Sequence, residues 1–121
     1  MTRIIFVDDE PKVLAGIRRF LYSMRREWDM SFACSGLQAL EIMSRDKFDV
    51  IVTDVRMPGM DGTELLARVR DLHPGVVRII LSGYSDRDLS LKAAASAHRY
   101  LSKPCGADSL KTTIARAVAA H

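Results

Sequence analysis

Cysteine is scarce in this chain of 121 residues: Cys34 and Cys105 stand alone, outside the CxxC and Cys/His spacings that hold zinc or form a redox pair. Two free thiols suit a reducing cytosol. Long apolar runs are missing too. Ile4 to Val7 is too short for a signal-peptide core and no later run approaches a membrane span, so the expected location is the cytoplasm, without a membrane partner. Nor does one sign of charge dominate, because 18 Lys and Arg face 15 Asp and Glu for a net charge of +3. The densest basic cluster, Arg18-Arg19 with Arg25-Arg26, reads as a solvated basic face rather than a direct nucleic-acid site. Linkers, low-complexity tracts and internal repeats are absent. What remains, 48% hydrophobic and 27% charged, is an ordinary globular composition. The length suits one domain, expected over residues 1–121.

Strand-like runs alternate with helix-like stretches, the pattern of βα units around a parallel sheet. Ile4-Ile5-Phe6-Val7 is apolar on both faces, as a covered central strand must be. Pro11 suits a first helical turn, and Val13, Leu14, Ile17, Phe20, Leu21 and Met24 follow at helical spacing. Met30 to Cys34 is a weaker strand, and Ser35 with Gln38 makes a capping box before Leu37, Leu40 and Met43. Phe48 to Thr53 is the third strand. Asp61 and Glu64 then cap a helix carrying Leu65, Leu66, Val69 and Leu72, which His73-Pro74-Gly75 ends. Val76 to Leu81 is the fourth strand, interrupted by Arg78. Ser85 or Asp86 opens a fourth helix running to Ala95, Arg99 to Ser102 is a fifth strand, and Leu110, Ile114, Ala117 and Val118 mark a fifth helix.

The apolar strands end on chemistry: Asp8-Asp9, Asp54, Ser82, and Lys103-Pro104. Parallel strands deliver their last residues to one sheet edge, where open α/β folds keep their sites. Carboxylates crowded there repel one another unless a cation sits among them, and Mg²⁺ (or Mn²⁺) suits one or two direct carboxylates with room for a phosphoryl group. Phosphoryl transfer needs an in-line nucleophile, a metal and donors for the remaining oxygens. Asp54 fits the nucleophile, Asp9 the direct metal ligand and Asp8 a ligand through water. Ser82 fits a hydroxyl donor and Lys103 a counter-charge.

Four motifs carry a resemblance: Val7-Asp8-Asp9-Glu10, Val52 to Gly62 around Asp54, Leu81-Ser82-Gly83, and Tyr100-Leu101-Ser102-Lys103-Pro104. Over essentially its whole length the chain resembles the receiver domain of bacterial two-component response regulators, the family of the chemotaxis regulator. That resemblance implies a flavodoxin-like, doubly wound five-stranded parallel sheet of order 2-1-3-4-5 flanked by five helices. It implies phosphorylation of Asp54 by a sensor histidine kinase or phosphotransfer protein, and Mg²⁺ held by Asp9, Asp54 and the backbone carbonyl of Arg56. It further implies a cis bond before Pro104, and Ser82 and Tyr100 as switch residues. These remodel the face of the fourth helix, fifth strand and fifth helix for an output domain or partner protein. A homodimer through that face is a further expectation. Residues 83–86 and 97–104 are also similar to receivers joined to HD-GYP or HDOD outputs.

Each residue alone has a plainer use: the acids as caps or turn formers, Ser82 as a turn hydroxyl, Lys103 as a solvated lysine, Tyr100 as core packing. Their shared position at strand ends argues for the site. A haloacid-dehalogenase-type phosphatase needs an acid two residues beyond its nucleophile, where this chain has Arg56, which cannot protonate a leaving group. A flavodoxin-like cofactor carrier needs a phosphate loop where Asp8-Asp9-Glu10 would repel phosphate. A degenerate receiver acting only as an interaction module normally lacks an acid, the hydroxyl or the lysine, and none is missing. His73, His98 and His121 lack metal-ligand spacing and read as surface residues; Trp28 reads as covering an edge of the core. Arg56 and Tyr84 occupy the places that overhang the phosphoryl group in the family and tune its lifetime. A bulky pair there screens attacking water, so purified phosphorylated protein is expected to lose phosphate slowly to moderately; a half-life of seconds would contradict this.

Overall fold

The computed structural model describes residues 1–82, 97–102 and 107–120. Among them lie β1 (Thr2–Val7), α1 (Pro11–Phe20), a 3-10 turn (Tyr22–Met24), β2 (Trp28–Ala33), α2 (Gly36–Arg45), β3 (Val50–Asp54), α3 (Gly62–Leu72), β4 (Val77–Ser82), β5 (Arg99–Ser102) and α4 (Ala107–Ala120). The strands form one sheet of order β2-β1-β3-β4-β5, with each neighbouring pair parallel. This is the doubly wound, flavodoxin-like arrangement, with β1 and β3 at its centre. The helix expected over 85–95 lies outside the described residues.

The continuous apolar runs are explained by the two layers they feed. Side chains alternate across a strand, so Ile4 and Phe6 of β1 enter one core with Leu14, Ile17, Leu110 and Ile114. Ile5 and Val7 enter the other with Ala39, Met43, Leu65 and Leu66. Both layers are closely shut, and Ile4, Ile5, Val50, Ile51, Ile79, Leu65 and Ile114 are wholly buried.

Helix ends follow local chemistry. Pro11 occupies the start of α1, and Arg18 and Arg19 in its last turn complement the negative end of the helix dipole. Ser35 Oγ accepts from the Gln38 N–H at 3.1 Å, while Gln38 Oε1 accepts from the Cys34 N–H, so the return bond of the box falls one residue early. At α3, Asp61 Oδ1 accepts from the Glu64 N–H at 2.9 Å.

Differences from the sequence reading have local causes. The periodicity through Met24 does not continue α1: the helix stops at Phe20 and the chain tightens into the 3-10 turn, with the Met24 N–H donating to the Leu21 carbonyl at 2.9 Å. Leu21 takes the core place and Phe20 faces solvent, because Leu14, Ile17 and Leu21 already complete the buried stripe. Leu37 and Leu72 likewise fall off the buried stripes of their helices and are exposed. β2 starts at Trp28, two residues before the expected strand, and Trp28 is buried on this edge strand.

His98 is not a plain surface residue. Its Nδ1 accepts the Arg78 N–H at 3.0 Å and its own N–H donates to the Arg78 carbonyl at 2.7 Å, extending the β4–β5 ladder. Arg78 is buried with its guanidinium donating to the Val76 carbonyl. Burial lowers its pKa from the ordinary arginine value, and the charge of Arg70 adds to this.

Position on the stripe rather than residue type governs stability. Leu65→Ala is expected to cost about 3 kcal/mol in denaturant unfolding, whereas Leu72→Ala at an exposed site should fall within about 0.5 kcal/mol of the parent.

Candidate functional site

The site follows from strand register. Val7 of β1 lies opposite Thr53 of β3, so Asp8 and Asp54, each one residue further on, emerge side by side. At this point β1 connects outward through α1 to β2 and β3 through α3 to β4, which makes the carboxyl edge between them the topological switch point of the sheet.

One carboxylate oxygen from each of Asp8, Asp9 and Asp54 lies within 4.8 Å of the others. Asp8 is 2% exposed and Asp54 8% exposed, with Asp9 half-buried above them. Backbone bonds fix their placement. The Asp8 N–H donates to the Ala33 carbonyl at 3.1 Å, and Asp8 Oδ1 accepts from the Glu10 N–H at 2.9 Å as the chain turns into α1. Asp54 Oδ1 accepts from the Val55 N–H at 3.0 Å, and the Val55 N–H also approaches the Leu81 carbonyl at 3.1 Å. The capping use expected for one acid is not made at α1, whose N-cap is Glu10 without a side-chain cap bond; the Asp8 carboxylate instead closes a turn onto the Glu10 N–H.

Carboxylates this close repel by about 3 kcal/mol per pair at an effective dielectric of about 20. Oxygen-only donors of this charge match a hard divalent cation, and soft or nitrogen-preferring metals lack their ligands here. The donor set therefore fits Mg²⁺.

The loop after β3 closes over this edge. Asp9, Arg56, Met57, Pro58 and Asp61 line an open cleft of about 390 Å³. Met57 is buried in the core and Met60 packs against that cluster. Asp61 had been recognised only as a helix cap; its place in the cleft wall depends on the loop's path, which local sequence does not encode. Gly59 takes a positive φ of 75° in this loop, a conformation suited to glycine. Gly62 has a different reason: its N–H donates to the Val55 carbonyl at 2.8 Å, and a Cβ there would stand 2.3 Å from the Asp54 carbonyl oxygen.

Ser82 ends β4, one residue beyond Leu81, the register partner of Asp54, and lies opposite Ser102. Its backbone thus stands at the same sheet edge. Tyr100 lies in β5 opposite Ile80. Tyr84, Lys103 and Pro104 lie outside the described residues.

Comparison with known proteins agrees with this geometry. The response regulator receiver domain family matches residues 4–115. The hydrogenase transcriptional regulatory protein HoxA of Cupriavidus necator is 34% identical over 120 residues, covering 98% of this chain and 24% of HoxA. The sensor kinase CckA of Brucella abortus is 38% identical over 114 residues, covering 92% of this chain and 12% of CckA. The chain thus spans a quarter or less of the length of these relatives. Among solved structures, the response regulator TrrA of Thermotoga maritima in complex with Mg²⁺-BeF is similar with a TM-score of 0.84 and 27% identity, covering 97% of this chain and 99% of that one.

A doubly wound sheet with three acids at its switch point, matched in this way, defines a phosphoryl-accepting signalling domain rather than a conventional enzyme. The chain belongs to the response regulator receiver domain family.

The close approach at Gly62 separates two glycines. Gly62→Ala forces the backbone of Asp54 or of the loop to move and is expected to cost about 2 kcal/mol or more. Gly36→Ala meets side-chain rather than backbone atoms, Met60 Sδ at 2.8 Å and Met60 Cβ and Cγ at 3.2 Å from the new Cβ, and should cost less. Paired denaturant titrations check the order.

Proposed function

We propose that Asp54 accepts a phosphoryl group from a sensor histidine kinase or phosphotransfer protein, and that Asp9 and Asp54 hold Mg²⁺ with the Arg56 carbonyl, Asp8 acting through water. The observation that carries this reading is the cluster of Asp8, Asp9 and Asp54 at the joint end of β1 and β3. Mg²⁺, or Mn²⁺ in its place, would offset the acidic charge and supply Lewis-acid stabilisation to phosphoryl transfer. The chain's own residues do the rest. Asp54, anchored by the Val55 N–H, presents its carboxylate to phosphorus; an aspartyl phosphate forms as the bond from phosphorus to the donor breaks. Ser82 donates its hydroxyl to the transferred group and Lys103 supplies a positive charge. Arg56 and Tyr84 screen attacking water and set the lifetime, while Ser82 and Tyr100 pass the change to the surface of the fourth helix, fifth strand and last helix.

The whole of residues 1–121 acts as this receiver, in the cytoplasm, and its switched face controls an output domain or partner protein, with homodimerisation one route. The relatives differ in this respect, one being a transcriptional regulatory protein and another a sensor kinase. The receiver itself contacts neither nucleic acid nor membrane in this reading; no helix among the described residues is long and apolar enough to cross a membrane.

Incubation with Mg²⁺ and acetyl phosphate should give a hydroxylamine-labile phosphoryl mass gain. Asp54→Asn is expected to abolish it and Asp9→Asn to weaken Mg²⁺ binding. Lys103→Ala should leave metal binding largely intact while uncoupling phosphorylation from the surface change. Persistence of the adduct in Asp54→Asn, or undiminished phosphorylation without metal, would overturn the assignment.

A further inference from the structure

A second feature lies along the outer edge of the sheet. Trp28, Met30 and Phe32 share one face of the edge strand β2, and with Arg18, Tyr22 and Arg25 they line an open groove of about 350 Å³ beneath the end of α1. Phe32 is itself stacked on the buried Phe6, with ring centroids 5.5 Å apart, so the groove floor continues the core.

Both arginines are held by aromatic faces. The Arg18 guanidinium lies 4.6 Å from the Phe32 ring centroid and the Arg25 guanidinium 3.9 Å from that of Tyr22. Arg25 Nη1 also donates to the Tyr22 carbonyl at 3.0 Å. A guanidinium held over a ring face keeps donors for a carboxylate and has less rotamer freedom left to lose. Among the described residues neither arginine has a carboxylate partner. The groove's nearest acid, Asp29, is engaged by Arg3 at 3.1 Å. Exposed Arg19 and Arg26 lie beside them in sequence and make this the most basic stretch of the chain.

We propose that this groove docks an acidic segment of a partner protein, one apolar side chain entering over Trp28 and Met30 with flanking carboxylates on Arg18 and Arg25. Charge complementarity selects the sign of the occupant, and the apolar floor distinguishes it from a bare phosphate chain. A nucleic-acid backbone would leave that floor unfilled, and the ring faces on which bases could stack are covered by the guanidinium groups. The groove is lined by none of the residues of the phosphoryl site, so the two functions separate by mutation.

Trp28 is the protein's single tryptophan and reports directly on the groove. The full chain is titrated at low salt with a synthetic peptide bearing one leucine between paired aspartates, following Trp28 emission. Saturable change is expected, weakened about tenfold or more by Arg18→Gln with Arg25→Gln, while phosphorylation by acetyl phosphate stays at the parent rate. Circular dichroism of the double variant should match the parent, since both side chains are exposed. Equal binding of the peptide with asparagine for aspartate would overturn the proposal, as would tighter binding of duplex DNA through the same arginines. Emission that depends on protein concentration alone would assign the groove to a second copy of the chain and overturn it equally.

Discussion

Parallel pairing of β1 with β3 forces like charges together, and much of the molecule is arranged around that constraint. The register that puts Val7 opposite Thr53 leaves Asp8 and Asp54 no separate exits. Three carboxylates within 4.8 Å of one another oppose folding unless something offsets their charge. The protein meets part of this with backbone donors from Glu10 and Val55, each fixing one carboxylate oxygen. The remaining oxygens define an acidic socket rather than a relaxed surface cluster. Repulsion stored in this way favours a cation among the carboxylates.

Holding the socket requires rigidity from below and closeness from above. Below, the centre of the sheet is wholly buried on both faces, so strand ends cannot shift singly without disturbing a packed layer. Above, the loop from Arg56 to Asp61 returns so closely that Gly62 touches the Asp54 backbone. Met57 and Met60 anchor this loop into the α2–α3 layer. The carbonyl of Arg56 and the cleft wall at Asp61 are therefore positioned by the same packing that positions Asp54.

At the sheet's edge the arrangement differs, with two arginines held apart from anions. The arginines at the end of α1 rest on rings rather than pairing with carboxylates, and a buried tryptophan and a stacked phenylalanine keep their support firm. The two regions share β2 and α1 as scaffold: the carbonyl of Ala33 receives the Asp8 N–H, while Phe32 beside it carries Arg18.

Strand existence, the alternation of elements, the caps at Ser35 and Asp61 and the acids at strand ends were all legible in the chain, because each depends on residues close in sequence. Apolar runs without alternation announced strands covered on both faces, and their charged endings announced the edge that bears the chemistry. Where α1 stops, which of Phe20 and Leu21 is buried and why Leu37 and Leu72 face water were not legible, since a periodic pattern does not say how wide the covered stripe will be. His98 read as a surface residue because its bond to Arg78 crosses twenty residues of chain. The sequence by itself determined that the central strands end on carboxylates, oxygen donors of the kind a hard cation prefers. Only the tertiary structure decided that Gly62 must be glycine, that Asp61 joins the cleft, and that arginines at the end of α1 lie over an apolar groove. Those properties come from distances between segments that meet only when the sheet is assembled.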